Sequence, residues 1–262
     1  AKKTFFLVNL ARGYLRMKKS VLYIDTENGK NQIMDRFIQG SLNKTKKELY
    51  SGEYDKLERK HLRKLSRFGV ELVIDRVPAM VTDMNYVENL IIKLRSQGID
   101  IKVVVIDYLA KMASIAKDED VYNRVGKAYI DAQNMAVKLD LDVVWTANHI
   151  KRDGYKHRKT RYEENDIATC VDIVRNAVAI FGLNATEQEE QDNIQRLELV
   201  VQRDGKPSGR ALFHVDVDRQ RAQEFTKAQR KEYDDIYGEQ LEKSLNKPES
   251  DKSEKLNRNG DI

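Results

Sequence analysis

The 262-residue sequence predicts an α/β fold with a mostly parallel sheet flanked by helices and antiparallel strands at the C-terminal end. Apolar β-branched runs alternate with segments whose apolar residues recur at helical spacing, and their connections are too long for hairpins. The clearest run is KVVVIDYL at residues 102–109, where an unbroken apolar stretch leads to Asp107. This pattern is typical of a parallel strand that is buried on both faces and delivers a polar side chain to the carboxyl edge of the sheet.

The first half of the chain alternates between helix and strand. Thr4 begins an apolar pattern at helical spacing, and the turn signal Asn28-Gly29 follows the next strand. Residues 41–68 are heavily charged and predict surface helices. The other predicted elements are a strand at 20–27, a helix containing 32–38, a strand at 70–75, a helix at 83–97 and the strand at 102–107.

The second half predicts one long helix, one more buried strand and a β-rich end. These elements are a helix at 121–139 and strands at 142–147, 178–183, 197–202 and 211–217. Beyond Phe225 the residues are mostly Lys, Glu, Asp, Asn and Ser, which cannot bury enough apolar surface to offset the entropy of ordering. We therefore expect one domain over residues 1–225 and a charged, largely disordered tail over 226–262, in which the pattern permits a helix at about 228–245.

The composition favours an intracellular globular protein. Hydrophobic residues make up 40% of the chain, which supports a substantial core, and the single cysteine, Cys170, excludes a disulfide framework. The sequence shows neither a signal peptide nor an apolar run long enough to cross a bilayer, so we expect a cytoplasmic location and no membrane partner. The net charge of +5 permits nucleic-acid binding without establishing it, because charged residues of both signs make up 34% of the chain.

Lys3 and Thr4 open the first helix, and a Lys-Thr pair at that place forms the second half of a phosphate-binding loop. The N–H groups of a helix N-terminus attract phosphate, the lysine adds a mobile cation, and the threonine hydroxyl can hold Mg²⁺. Asp107 would hold the same Mg²⁺ through water, so ATP and Mg²⁺ are the expected ligands. The alternative is that Thr4 is an ordinary helix cap. Lys2 stands where such loops usually have glycine, and we expect the glycine-rich first half of the motif to precede Ala1.

Two further residues follow predicted strands and are expected at the same edge of the sheet. Glu27 is the candidate that positions and polarises an attacking water beside the phosphate loop. The alternative is that the acidic residues at 25–27 only cap the next helix. His149 could bond the γ-phosphate and report whether ATP or ADP is bound, or it could be an ordinary polar loop residue.

A basic segment after His149 interleaves cations with two tyrosines and a glycine, as a loop that grips a phosphate backbone would. A solvated surface loop is the alternative. Arg203 precedes a turn, where it is either solvated or an arginine finger that reaches the γ-phosphate of a neighbouring subunit. The candidate DNA-binding residues of the basic segment are Lys151, Arg152, Lys156, Arg158, Lys159 and Arg161.

Together these residues resemble the C-terminal RecA-like motor domain of the DnaB and phage replicative helicase family, over residues 1–225. The VIDYLAKM run at 105–112 is similar to the family's Walker B strand and is the most specific match. Two positions depart from the family, which usually has glutamine where His149 stands and often has lysine where Val201 stands. The other matching runs are AKKTFFLVNLA at 1–11, VLYIDTE at 21–27, VWTANHIKR at 144–152 and QRDGKPSG at 202–209.

The resemblance implies a RecA-like P-loop NTPase core that hydrolyses Mg-ATP and moves along single-stranded DNA as the motor of a replicative helicase. It also implies a homo-oligomer, expected to be a hexameric ring, with Arg203 acting on a neighbouring subunit. Primase and a helicase loader are candidate partners, in a bacterial cell or a phage-infected host. The alternatives are a RecA- or KaiC-like recombination or regulatory ATPase, and a non-catalytic assembly module with a degenerate nucleotide site.

Overall fold

The structure, a computed structural model, describes residues 2–51, 69–112, 121–149, 162, 166, 171–205 and 208–245. These residues form two four-stranded sheets with strand orders β2-β1-β3-β4 and β5-β6-β7-β8. The first sheet is parallel and the second is antiparallel. This confirms the predicted architecture of a parallel sheet with helices and an antiparallel end.

The parallel half contains α1 to α5 and β1 to β4. A 3₁₀ turn, Leu109–Lys111, follows β3 directly. The elements are α1 (Lys3–Arg16), β1 (Ser20–Asp25), α2 (Lys30–Leu42), α3 (Lys46–Leu49), β2 (Leu72–Arg76), α4 (Met84–Ser96), β3 (Ile101–Asp107), α5 (Val121–Lys138) and β4 (Val143–Thr146). Among the predicted surface helices at 41–68, residues 52–68 lie outside the described ranges.

Strand β3 separates two hydrophobic cores. Its Val103 and Val105 pack with residues of α1 and α2, and its Val104 and Ile106 pack with residues of α4 and α5. Because consecutive side chains of a strand point to opposite faces, burial on both faces requires a continuous apolar run. The run at 102–107 therefore reflects the position of β3 inside the sheet.

The carboxyl ends of three neighbouring strands lie level with one another. In the parallel registers Asp25 pairs with Asp107, and Ile106 pairs with Thr146. The residues that immediately follow β1, β3 and β4 consequently share one edge of the sheet, where open α/β sheets bind their ligands.

The antiparallel half differs from the prediction at its boundaries. Strand β6 begins at Ile194, three residues before the predicted start. Strand β8 was not predicted because its four residues, Arg-Ala-Gln-Glu, lack apolar alternation, and a polar sequence suits its place at the edge of the sheet. The elements are α6 (Val171–Asn176), β5 (Ala179–Asn184), α7 (Glu187–Gln191), β6 (Ile194–Gln202), β7 (Arg210–Asp216), β8 (Arg221–Glu224) and α8 (Lys227–Leu245).

Helix α8 lies where the sequence permitted one, and it packs on the antiparallel sheet. Tyr233 and Tyr237 are buried beside Ile194 and Leu212, and their rings stack with centroids 4.8 Å apart. Residues 246–262, which were expected to be disordered, lie outside the described ranges. Packing contacts therefore cross the expected boundary at residue 225.

Helix α1 is shared by both halves. The Asn9 amide donates to the Gln220 carbonyl (3.2 Å), and the Asn9 side-chain oxygen accepts from the Ala222 N–H (3.1 Å). The buried Arg12 guanidinium donates to the carbonyls of Gly40 and Gln220. A Cβ at Gly40 would lie 2.6 Å from the Gln220 oxygen, so glycine is required for this close approach.

None of the helices in the described ranges has the length and apolar character of a membrane span.

Candidate functional site

Asp107 ends β3 and is 1% exposed. Its carboxylate accepts hydrogen bonds from the Tyr23 hydroxyl (3.1 Å) and the Thr4 side chain. Burial raises the pKa of Asp107, the negative charges of Asp25 and Glu27 raise it further, and the bonds from Thr4 and Tyr23 oppose the rise. The structure therefore places Thr4, near the start of α1, beside the Asp107 carboxylate at the end of β3.

Lys3 is the first residue of α1, and its ammonium nitrogen is buried without a hydrogen-bond acceptor in the described part of the chain. The nitrogen lies 4.9 Å from the centroid of the Tyr108 ring. Burial lowers the pKa of Lys3, while Asp107 and Glu27 partly oppose this. A buried ammonium with unused donors is costly, and beside a helix N-terminus without a side-chain cap it is suited to an anion such as phosphate.

The loop after β1 is held by Asp25. This fully buried carboxylate accepts from the backbone N–H groups of Glu27 (2.7 Å) and Asn28, and from the Asn28 amide (2.9 Å). The N-cap of α2 is Gly29. The acidic residues at 25–27 therefore do not cap α2, and the Glu27 side chain is left for other contacts.

Glu27 forms an ion pair with Lys111, at the end of the 3₁₀ turn. The hydrogen bond from Lys111 lowers the pKa of Glu27, burial opposes this, and the Tyr108 side chain contributes a second hydrogen bond. The Glu27 carboxylate is therefore ionised near neutral pH.

Tyr108 lies at the centre of the predicted site residues. Its N–H donates to the Thr26 hydroxyl (3.2 Å), which in turn donates to the Asp107 carbonyl (3.1 Å). The Asp107–Tyr108 peptide bond is cis. The Tyr108 ring meets the His149 ring edge to face, with centroids 5.4 Å apart. The structure thus gathers Lys3, Thr4, Glu27, Asp107 and His149 at one sheet edge.

His149 is exposed at the end of this group. The part of its ring that is covered by neighbouring residues loses hydration, which lowers the pKa of His149, and the nearby charge of Lys3 lowers it further. The charge of Glu27 opposes this shift. The imidazole is therefore neutral near pH 7, with one nitrogen able to donate and the other able to accept.

Arg203 is not part of this group. Its guanidinium donates to the Arg175 carbonyl (3.2 Å), and its N–H donates to the Val178 carbonyl (3.0 Å). The side chain is exposed at the end of β6. The six candidate DNA-binding residues, Lys151, Arg152, Lys156, Arg158, Lys159 and Arg161, lie outside the described ranges.

Sequence reasoning missed the roles of Tyr23, Thr26, Tyr108 and Lys111 in this site. A tyrosine in an otherwise apolar buried strand is a usable signal, because its hydroxyl must find a partner. Lys111 has no comparable signal, since an isolated lysine after a strand is common on surfaces.

An apolar cleft of about 1050 Å³ lies between β4 and β5. Lys3 and His149 lie on its border, whereas Glu27, Asp107 and Lys111 lie outside it. Trp145 and Phe181 approach across the gap with ring centroids 5.8 Å apart. The group at the sheet edge therefore adjoins the largely apolar cleft through Lys3 and His149, while its carboxylates lie outside the cleft.

The described residues contain no cluster of three or more His, Cys, Asp or Glu side chains able to hold a metal ion. The Thr4 hydroxyl and the Asp107 carboxylate, which are in contact, are oxygen donors at the sheet edge. Mg²⁺ accepts such sparse oxygen sites, because it keeps several waters and binds substrate phosphates.

The sequence model of the family described as DnaB-like helicase C terminal domain matches residues 1–223. No curated protein sequence gives a significant match.

Solved structures show the same fold. The ATPase domain of G40P has a TM-score of 0.72 and 17% identity, over 85% of this chain and 80% of that chain. A DnaB-like replicative helicase, described with its interactions with primase, has a TM-score of 0.70 and 16% identity, over 83% of this chain. The match covers 53% of that helicase, so this chain spans about half its length. The expected RecA-like α/β fold is therefore confirmed.

Proposed function

Because this chain belongs to the DnaB-like helicase C-terminal domain family, we propose that it is the ATP-driven motor of a ring-forming replicative helicase that moves along single-stranded DNA. The observation that carries this proposal is the buried Lys3 ammonium, which has no acceptor in the described residues and lies beside the Thr4–Asp107 pair. A helicase motor needs a phosphate site there, and a purely structural lysine would be paired or solvated.

The residues at the sheet edge suit Mg-ATP. Lys3 and the N-terminal N–H groups of α1 would contact the phosphates, and Thr4 with Asp107 would hold Mg²⁺. Bound Mg²⁺ neutralises charge that develops on the phosphate oxygens. The Tyr23 hydroxyl also donates to the Asp107 carboxylate and helps to fix its position.

Glu27 is proposed as the group that accepts a proton from the attacking water. Its carboxylate is ionised, because Lys111 lowers its pKa, and it is 39% exposed, so that water reaches it. His149 is proposed to bond the γ-phosphate through its neutral ring, next to Lys3 and Tyr108.

Hydrolysis is proposed to be shared between subunits. Arg203 is exposed directly after β6, with one guanidinium bond to the Arg175 carbonyl, and it is proposed to leave this bond for the nucleotide of a neighbouring subunit. In a hexameric ring, the Arg203 side chain of each subunit would lie beside the nucleotide site of its neighbour. The basic residues at 151–161 are proposed to grip the DNA backbone, and primase and a helicase loader are proposed partners.

ATP hydrolysis with and without single-stranded DNA, followed by unwinding of a forked duplex, tests this function. We expect DNA to stimulate hydrolysis and the fork to be unwound, and Lys3→Ala to abolish both. Lys138→Ala is the matched control. The exposed Lys138 ammonium, at the end of α5, pairs with Glu88 of α4.

Two results would favour other functions. Hydrolysis stimulated by DNA without unwinding, accompanied by filaments, would indicate a recombinase. Absence of ATP binding and hydrolysis would indicate the non-catalytic assembly module.

A further inference from the structure

Lys111 and Glu27 approach each other from two anchored main chains. The Lys111 carbonyl accepts from the Met80 N–H (2.7 Å), and the Lys111 N–H donates to the Tyr108 carbonyl (3.0 Å). On the other side, the Glu27 N–H donates to the buried Asp25 carboxylate (2.7 Å). Both side chains thus start from fixed positions, and their amino and carboxylate groups meet across the edge of the sheet.

Lys111 and Tyr108 act on Glu27 together. The Lys111 nitrogen lies 5.1 Å from the centroid of the Tyr108 ring, and the Tyr108 side chain hydrogen-bonds to both Glu27 and Lys111. A carboxylate has about four lone-pair sites. Two donors from the segment after β3 therefore hold Glu27 while leaving sites for water. The charged or titratable groups around Glu27 are Lys3, Asp25, Asp107, Tyr108, Lys111 and His149.

The exposure of this pair argues against a purely structural role. The Lys111 and Glu27 side chains are 33% and 39% exposed, and exposed ion pairs contribute little to the free energy of unfolding because water and salt screen them. By contrast, the Arg196–Glu189 pair in the antiparallel half is almost fully buried, at 2% and 0%. The contact with Lys111 therefore chiefly determines the position of the Glu27 carboxylate.

We propose that Lys111 is a positioning residue for Glu27, which it holds in the orientation needed to accept a proton from the attacking water. This inference rests on the proposed function, and it adds a residue that acts through Glu27. A base oriented by another group is a recurrent arrangement in enzymes, because a misaligned base loses rate even when substrate binding is intact.

The test measures ATP turnover and ADP affinity for Lys111→Met, Lys111→Arg and Glu27→Gln in the intact protein, with the Lys111→Met/Glu27→Gln double variant. We expect Lys111→Met to lower kcat roughly 10-fold with KM and ADP affinity unchanged, because only orientation in the transition state is lost. Lys111→Arg should recover most of the rate. In the Glu27→Gln background, Lys111→Met should have no further effect, because the two residues act as one unit.

Lys138→Met is the matched control, since the exposed Lys138 of α5 also pairs with a glutamate, Glu88 of α4, which is not one of the site residues. Unchanged ADP affinity shows that each variant is folded. An unchanged or raised kcat in Lys111→Met overturns the positioning role, and so does a loss that persists in the Glu27→Gln background. If Glu27→Gln is fully active, or the protein hydrolyses no ATP, the proposed role of Glu27 or the proposed function fails first and this inference fails with it.

Discussion

At the residue scale, three carboxylates at one sheet edge acquire different properties from their surroundings. Asp25 is fully buried and accepts two backbone N–H groups, so it holds the loop after β1. Burial raises the pKa of Asp107, and the Thr4 and Tyr23 side chains fix its position. Glu27 combines a lowered pKa with a side chain that is exposed to water. It is therefore the carboxylate best suited to exchange a proton with water.

Replacing Glu27 by glutamine tests this assignment. Glu27→Gln should retain ATP binding and lose at least roughly 10²-fold in turnover, because the amide keeps the shape of the side chain and cannot accept the proton. Steady-state hydrolysis and equilibrium nucleotide binding measure the two effects. Glu88→Gln, which alters a paired glutamate on α4, is the control. Near-normal turnover of Glu27→Gln would remove Glu27 from the mechanism.

His149 predicts a dependence of stability on pH. Burial and the charge of Lys3 lower the pKa of His149 in the folded protein. As the pH falls below about 6.5, the His149 ring is therefore protonated in the unfolded chain before it is protonated in the folded one. Proton uptake by the unfolded state lowers the free energy of unfolding, so the stability linked to His149 is present above that pH and is lost on acidification.

His149→Gln should therefore lose less stability than the wild type between pH 7 and pH 5. Urea unfolding at both pH values measures the difference. The control is His214→Gln, which changes an exposed histidine of β7. An equal loss of stability in His149→Gln and the wild type would show that His149 titrates alike in the folded and unfolded chains.

At the scale of elements, α8 is attached to the antiparallel sheet through a buried polar cluster. The Tyr233 hydroxyl donates to Glu189, and the Arg196 guanidinium donates to the same carboxylate (2.8 Å) and to Glu198 (3.2 Å). Burial alone would raise the pKa of Glu189, but these donors and the Thr186 N–H hold it below its usual value. The cluster needs all of its donors, because a buried carboxylate that loses one is poorly compensated.

Tyr233→Phe should lower the free energy of unfolding by about 1.5–3 kcal/mol, the usual range for a hydrogen bond to a charged group. The matched control is Tyr86→Phe, which removes a similar hydroxyl bond to Asp75 (2.6 Å) from an exposed tyrosine. Tyr86→Phe should lower the free energy of unfolding by about 0.5 kcal/mol or less. Chemical denaturation measures both values, and equal small effects would mean that α8 contributes little to the domain.

At the scale of the whole molecule, no cation among the described residues of the antiparallel half contacts the site within one chain. Arg203 donates to Arg175, while Lys3 and Lys111 are the cations near Glu27. Completion of the site by a second subunit is the arrangement that the proposed ring requires.

Arg203→Ala should assemble normally and lose roughly 10³-fold or more in turnover, as arginine fingers typically supply. Mixing this variant with Lys3→Ala should restore part of the activity, because an intact phosphate site then faces an intact finger. Turnover measured across protein concentrations reports the loss in Arg203→Ala and the recovery in the mixture. Native mass spectrometry shows whether mixed rings have formed. If mixed rings form and recover no activity, or if Arg203→Ala is fully active, hydrolysis is not shared between subunits.

The fold class and the strand-end carboxylates could be read from the sequence because burial on both faces of a parallel strand leaves a continuous apolar run. The apolar run at 102–107 predicted β3, and the turn after Asp25 marked the end of β1. The two strand ends together indicated the sheet edge where Asp107 and Glu27 lie. Strand β8 escaped prediction because an edge strand has no such requirement.

The contacts that orient the site depended on packing between distant segments. Tyr23 lies 84 residues from Asp107 along the chain, and Lys111 lies 84 residues from Glu27. Local periodicity reports which face of an element is buried, whereas these pairs form only after parallel pairing brings β1 and β3 side by side. The same reason explains α8, whose charged sequence resembles a tail until Tyr233 and Tyr237 meet the antiparallel sheet.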